Sequence, residues 1–217
     1  MENYLLGFSI SLLGLFFLLF NTIYGLKIKK EIAQTSFVFF ISYVAIMLII
    51  EIFCHVLGFL KPSSNIFISH FYFNLQFILV SAFFIFLFQK SKEIQRRILL
   101  ISAVVFCIVI GSYLTEYFSF WKFNLLEIGL TSLVLVSYIF FYFYVNLERK
   151  NVPFYNFFAG LAVYLLSSCL IFLTGNVELV FVEEPLIDIW VFNSILYILF
   201  QYFIFKELKN FKVKKSK

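Results

Sequence analysis

Apolar positions in this chain neither alternate nor keep to one helical face. They run on. Seven stretches, about 4–26, 36–60, 66–88, 98–116, 125–146, 155–174 and 186–205, are apolar all round, and each is close to the ~20 residues that cross a bilayer. A helix apolar on every side belongs in lipid or deep inside a large core, whereas a soluble surface helix shows one apolar stripe. Pro62, Pro153 and Pro185 all fall in the connections between stretches. Every predicted helix therefore keeps its hydrogen-bond ladder, which lipid demands because it offers no other partner. The pattern predicts an all-α membrane protein, a seven-transmembrane helix bundle forming one domain over residues 1–205, followed by a basic cytoplasmic tail over residues 206–217.

The polar positions between the stretches set an orientation. Lys27, Lys29 and Lys30 fall in the first connection, Lys90, Lys92, Arg96 and Arg97 in the third, and Arg149 and Lys150 in the fifth. Lys206, Lys209, Lys212, Lys214, Lys215 and Lys217 follow the last stretch. Only Lys61 and Lys122, of 17 basic residues, fall on the opposite side. Basic residues are retained on the cytoplasmic side of a membrane. The N-terminus is therefore expected outside and the C-terminus inside, in the cell (inner, cytoplasmic) membrane, as a multi-pass protein. Glu178, Glu183, Glu184 and Asp188 make the expected outer side acidic. Met1-Glu2-Asn3 has no positive charge and no small-x-small site follows the first stretch, so that stretch is expected to stay as a span.

Composition narrows the classes. Of 217 residues 63% are hydrophobic and 13% charged, against about 25% charged in a soluble domain. That excludes soluble, disordered and disulfide-built secreted chains, since a domain of this size cannot bury so much apolar surface. A net charge of +5 and a pI near 9.0 suggest nucleic acid at first sight. Sorted by side, the excess is an orienting signal, and no nucleic-acid partner is expected. The expected partners are membrane lipids and a cytoplasmic or membrane signalling protein. The tail's lysines suit either anionic lipid or partner docking. Cys54, Cys107 and Cys169 sit in separate spans and give no disulfide framework. No Gly-rich phosphate loop, CxxC pair or HExxH motif occurs, and no cofactor is expected. The short connections leave no room for a soluble output domain.

The chemistry to explain is therefore inside the membrane, where each ionisable group is a functional hypothesis. Glu51 and His55 are spaced i, i+4 in the second span, and His70 and Asn74 likewise in the third. Across the short turn Lys61-Pro62-Ser63-Ser64-Asn65, an antiparallel hairpin sets His55 level with His70, and Glu51 level with Asn74 one turn deeper. Gly58 on the Glu51/His55 face would permit close helix approach. Glu116 closes the fourth span and Glu127 opens the fifth, with Thr131 one turn on. In the seventh span Trp190, Ser194, Tyr197 and Gln201 share a face, with Asn193 alongside. Together these residues suggest a polar, negatively charged cavity in the outer half, with Glu51, His55, His70, Asn74, Glu127, Trp190, Asn193 and Tyr197 as its ligand-binding residues. Each has a plainer role open to it. The Glu51–His55 pair neutralises a buried carboxylate, binds a ligand or proton, or joins His70 as three metal ligands with one open position. The seventh-span stripe serves interhelical hydrogen bonds as readily as a ligand. Trp121 and Trp190 suit an aromatic belt, Glu116 and Glu127 the water interface, and Gly7, Ser11 and Gly14 a packing face.

Several seven-span classes fail on residues. No span interior holds the Schiff-base lysine of a retinal protein. Two histidines and no intramembrane Asp break the pattern of metal-dependent lipid hydrolases. Serine and aspartyl intramembrane protease motifs are missing, and so are the proline kinks of 3+1+3 sugar carriers. The segment Asn65-Ile-Phe-Ile-Ser-His-Phe-Tyr-Phe-Asn-Leu-Gln76 resembles one in a group of bacterial seven-span integral membrane proteins of unassigned activity, in which an acidic residue stands where this chain has Gln76. The stretch Ile189-Trp190-Val-Phe-Asn193-Ser194-Ile-Leu-Tyr197 is similar to the last span of that group. The topology also resembles the seven-span sensor region of some histidine kinases, without the kinase. That resemblance implies a sensor or receptor-like module. A membrane-embedded enzyme on a lipid or lipid-linked substrate, a small transporter and a structural partner subunit are the alternatives.

Overall fold

A computed structural model describes residues 2–32, 34–60, 67–115, 124–176 and 189–215, with side chains over 6–32, 34–60, 67–115, 124–172 and 191–212. Its described residues form seven helices: α1 (Glu2–Lys29), α2 (Thr35–Leu60), α3 (Phe67–Leu87), α4 (Lys92–Tyr113), α5 (Leu125–Val145), α6 (Tyr155–Asn176) and α7 (Ile189–Lys215). All seven are long and apolar enough to cross a membrane. The chain is an all-helical, multi-pass membrane protein by length and composition. Lys61 to Asn65, Glu116, Trp121, Lys122, Glu178, Glu183, Pro185 and Asp188 lie outside the described residues, as does the side chain of Trp190.

The helices divide into two compact units. One comprises residues 32–135, with α2, α3, α4 and the first half of α5; the other comprises 1–31 and 136–217. In the first unit α3 packs against α2 and α4. Its centre is phenylalanine: Phe37 and Phe40 from α2 and Phe77, Phe83 and Phe84 from α3 are almost wholly buried. Large apolar side chains also face outward, among them Phe53 and Phe59 on α2 and Leu99 and Leu100 on α4. A water-soluble surface would not carry so contiguous an apolar exterior.

In the second unit α7 is the axis, with α1 and α6 against it. Two glycines allow this. A Cβ on Gly160 would lie 2.5 Å from Phe203 Cβ, so only glycine lets α6 approach α7 so closely. A Cβ on Gly14 would lie 2.9 Å from the Tyr197 ring, and one on Gly7 3.5 Å from Val191. The small residues of the first span therefore face α7. Lacking a hydrophobic drive in lipid, helices gain from such close van der Waals contact. Asn21 Nδ2 donates to the Gln201 carbonyl at 2.9 Å and lies 3.2 Å from its Oε1, tying α1 to α7 at depth.

Two boundaries differ from the sequence expectation. The basic segment from residue 206 does not leave the last helix. α7 continues to Lys215 because Leu208 and Phe211 extend its apolar face; Leu208 is fully buried and the Phe211 ring packs tilted against Phe154, with centroids 4.9 Å apart. α4 starts at Lys92, not near residue 98, and its charged first turns carry an Arg97–Glu93 ion pair one turn apart.

Candidate functional site

The eight residues expected to form one cavity are divided between the units. Glu51, His55, His70, Asn74 and Glu127 belong to the first, and Trp190, Asn193 and Tyr197 to the second. Within the first unit the helix register assembles a compact cluster from α3, α4 and α5.

Glu127 is its centre. Asn124 precedes α5 and accepts the Glu127 backbone N–H at 3.2 Å, the role of an N-cap toward the third helical residue. In an ordinary capping box the glutamate side chain turns back to the cap residue. Here it points into the unit and is completely buried. Its charge lies at the positive end of the α5 dipole, which favours a carboxylate. The remaining compensation is tertiary. His70 Nδ1 lies 2.7 Å from Oε2, and Asn74 Nδ2 donates to Oε1 at 2.7 Å. The Tyr113 hydroxyl, from the last residue of α4, is a third hydrogen-bond donor to the carboxylate. A carboxylate in a low-dielectric interior is tolerable only when so satisfied.

Asn74 links the rest. Its Nδ2 also lies 2.8 Å from the His70 carbonyl and 2.6 Å from the Tyr113 hydroxyl. Two N–H bonds therefore serve three oxygens, and one of them is shared. His70 is 5% exposed and meets the Tyr113 ring edge-on, with centroids 5.9 Å apart. Around the rim, Thr131 donates to the Glu127 carbonyl at 2.7 Å, and Asn124 Nδ2 donates to Ser112 Oγ at 2.8 Å. The loop ends of α4 and α5 are thus joined beside the cluster. Comparison of the chain with protein-family models, with curated proteins and with solved structures gives no match, so the chemistry rests on these residues themselves.

Glu51 is expected level with Asn74 across the hairpin, but the carboxylate held by Asn74 and His70 is that of Glu127. Depth follows from residue numbers along a hairpin; the direction a side chain faces does not. On α2, His55 Nδ1 donates to the Glu51 carbonyl at 2.8 Å and lies 3.7 Å from its Oε2. The pair is an intrahelical contact, with both side chains part-buried. Among the described residues no three His, Cys, Asp or Glu are grouped so as to hold a metal ion, so Glu51, His55 and His70 do not come together as a ligand set. Gln76 is buried on another face of α3 and donates to the Tyr43 hydroxyl at 3.2 Å.

In the second unit the α7 stripe is largely packing. Tyr197 lies over Gly14 and its ring is 5.7 Å from that of Tyr164. Gln201 receives Asn21. Asn193 is half-buried.

Two participants escaped sequence reasoning. Tyr113 carries no signal of its own, being one of 13 tyrosines. Asn124 did carry one: Asn-x-x-Glu before an apolar run is a helix-start signature, and it puts Glu127 in the first turn of α5.

Proposed function

We propose that the chain is a multi-pass protein of the cytoplasmic (inner) membrane, N-terminus outside, working as a sensor-like ligand-binding module whose recognition element is the His70–Asn74–Tyr113–Glu127 cluster. One observation carries this reading: a wholly buried glutamate held by donors from two other helices. A buried carboxylate with its polar partners is a poor way to gain stability, because well-packed apolar residues of the same volume do as well or better. Its best-attested use is as a switch or register device. A polar ligand that competes for the Glu127 carboxylate exchanges bonds with His70, Asn74 and Tyr113, and so loosens α5 from α3 and α4 together. The resemblance to sensor regions of histidine kinases supports the same reading. The orientation rests on the basic residues. In the second unit Lys212 Nζ lies 5.9 Å from the centre of the Tyr24 ring, so the lysine-rich ends of α1 and α7 share one end of that unit.

A second reading has its own support. His70 presents one ring nitrogen to a carboxylate, as an oriented general base does, which suits a membrane-embedded enzyme on a lipid-linked substrate. Ser112, the serine hydroxyl beside the network, is engaged with Val109 and Asn124, and the sensor reading is preferred.

Native mass spectrometry of the full chain, released from membranes in detergent, tests the first reading. Wild type is expected to retain a small polar molecule that Glu127→Gln and His70→Gln lose, with all three proteins folded. Identical retained species in wild type and both variants would overturn it. Catalytic turnover of a lipid-linked substrate lost in His70→Gln would favour the enzyme. Labelling of Asn3→Cys in intact cells by a membrane-impermeant maleimide tests the orientation, and protection of that thiol would reverse it.

A further inference from the structure

The second unit holds a cavity of about 800 Å³ where the connection between α5 and α6 meets the end of α7. Arg149 and Lys150 line it from the connection, Lys206 and Lys209 from α7, and Tyr155 and Tyr202 complete its aromatic wall. Its volume is that of a small-molecule site.

Among the described residues the wall's one carboxylate makes no ion pair with these cations. Glu207 is 4% exposed and turned inward. Its Oε1 accepts the Phe154 N–H at 3.0 Å, and its Oε2 accepts the Asn156 N–H at 2.9 Å and Asn156 Nδ2 at 3.0 Å. It thus caps the start of α6 from 51 residues away, with both oxygens engaged there. Among the described residues Arg149, Lys150, Lys206 and Lys209 have no ion-pair partner, and all four are exposed.

The frame around them is fixed. Phe154, fully buried, adopts a left-handed backbone with φ 58°, a conformation that costs about 1–2 kcal/mol in a residue with a Cβ. The Glu207 bond and the Phe211 ring hold it there. The Tyr142 hydroxyl donates to the Pro153 carbonyl at 2.8 Å, and Asn146 Nδ2 caps the Tyr142 carbonyl at 2.7 Å. The connection carrying Arg149 and Lys150 is thereby pinned at both ends and faces α7 at a set distance. Among the described residues, four cations without an ion-pair partner converge on one concavity whose one lining acid is hydrogen-bonded to the start of α6.

We propose that this cavity binds a phosphate-bearing anion, and that the anion is the headgroup of an anionic phospholipid. Arginine supplies a planar fork for phosphate oxygens, and lysines supply point charges that follow them. Tyr155 and Tyr202 are amphipathic side chains of the kind that sit at headgroup level. The cavity lies at the end of membrane-spanning helices, where a headgroup arrives already concentrated. A free phosphate compound offers the same oxygens without the acyl chains.

The test uses detergent-purified full chain and the paired variant Arg149→Gln/Lys206→Gln. Its control, Lys90→Gln/Lys92→Gln, removes the same charge from the start of α4 and the connection before it. Phosphatidylglycerol and phosphatidylcholine are titrated separately, with bound lipid read by native mass spectrometry and Tm by fluorimetry. Wild type and control are expected to bind phosphatidylglycerol selectively. The paired variant should bind it about thirtyfold more weakly, from about fivefold per basic residue at an anionic membrane surface. Equal binding of the two lipids by wild type, or equal weakening in the control, overturns the proposal. Inorganic pyrophosphate is the remaining arm. Stabilisation by pyrophosphate alone, lost in the paired variant, moves the source to a soluble anion and overturns the lipid assignment. Should the paired variant misfold, Lys206→Gln and Lys209→Gln singly give the same comparison, with about fivefold expected for each.

Discussion

Removing His70 from the buried cluster is the most direct probe of how the first unit is held. Glu127 is wholly buried and has donors from His70, Asn74 and Tyr113. Deleting one partner of a buried carboxylate leaves its charge uncompensated, which costs about 3–5 kcal/mol in soluble cores. Interhelical hydrogen bonds in membranes are worth less, about 0.6 kcal/mol on average, because the separated helices find other partners. His70→Ala leaves two donors in place, so the lower end applies, about 3 kcal/mol. Glu127→Gln keeps the shape and one acceptor oxygen while removing the charge, and should cost about 1 kcal/mol, the net worth of one hydrogen bond. With the charge gone, loss of His70 matters little more than lost packing, about 1 kcal/mol. The double variant should then cost about 2 kcal/mol, well under the sum of the singles, which is a coupling of about 2 kcal/mol. Reversible unfolding of the four proteins in mixed micelles, followed by steric trapping, measures each value. Additivity to within about 0.5 kcal/mol would show that His70 and Glu127 do not act as a unit, and the charge-compensation argument would fall.

Gly160→Ala should lower Tm by about 4 °C or more, since the new Cβ meets Phe203 Cβ and Cγ at 2.5 and 2.7 Å, atoms that no side-chain rotation moves far, and overpacking of this kind costs about 1–3 kcal/mol. Scanning fluorimetry beside Gly14→Ala, where a tyrosine ring edge has room to turn, should give the smaller loss for Gly14; the reverse order would contradict the packing of α6 on α7. Glu207→Ala strands the N–H groups of Phe154 and Asn156 and should cost about 3 kcal/mol, with proteolysis rising between residues 146 and 154. Glu207→Gln keeps an acceptor and should fall between; wild-type protease resistance in Glu207→Ala would mean the cap is not what holds that connection.

Seven helices, their approximate ends and their lipid-facing character were legible in the order of apolar residues, because a bilayer imposes one length and forbids unpaired backbone. The α3 pair of His70 and Asn74 was legible too, because i, i+4 spacing fixes a common face. Glu127 was visible as a charge at a helix start. Its burial was not, since local sequence places it equally well at the water interface. Glu207 shows the same limit more sharply. Among six basic residues from Lys206 onward it reads as a solvated charge, yet it holds the N–H of Asn156, 51 residues earlier, at the start of α6.

The sequence by itself therefore determined what each helix is: its apolar stretch, its all-round apolarity, its basic end and the small residues that let it approach a neighbour. Those are properties of single segments, and hydrogen-bond ladders and transfer free energies act segment by segment. Only the tertiary structure decided which polar group meets which. A side chain's azimuth depends on where every neighbouring helix packs, and a buried carboxylate takes donors from wherever packing brings them. His70 and Asn74 thus meet Glu127 on α5 rather than Glu51 on α2, and a glutamate of the basic segment turns inward to begin α6.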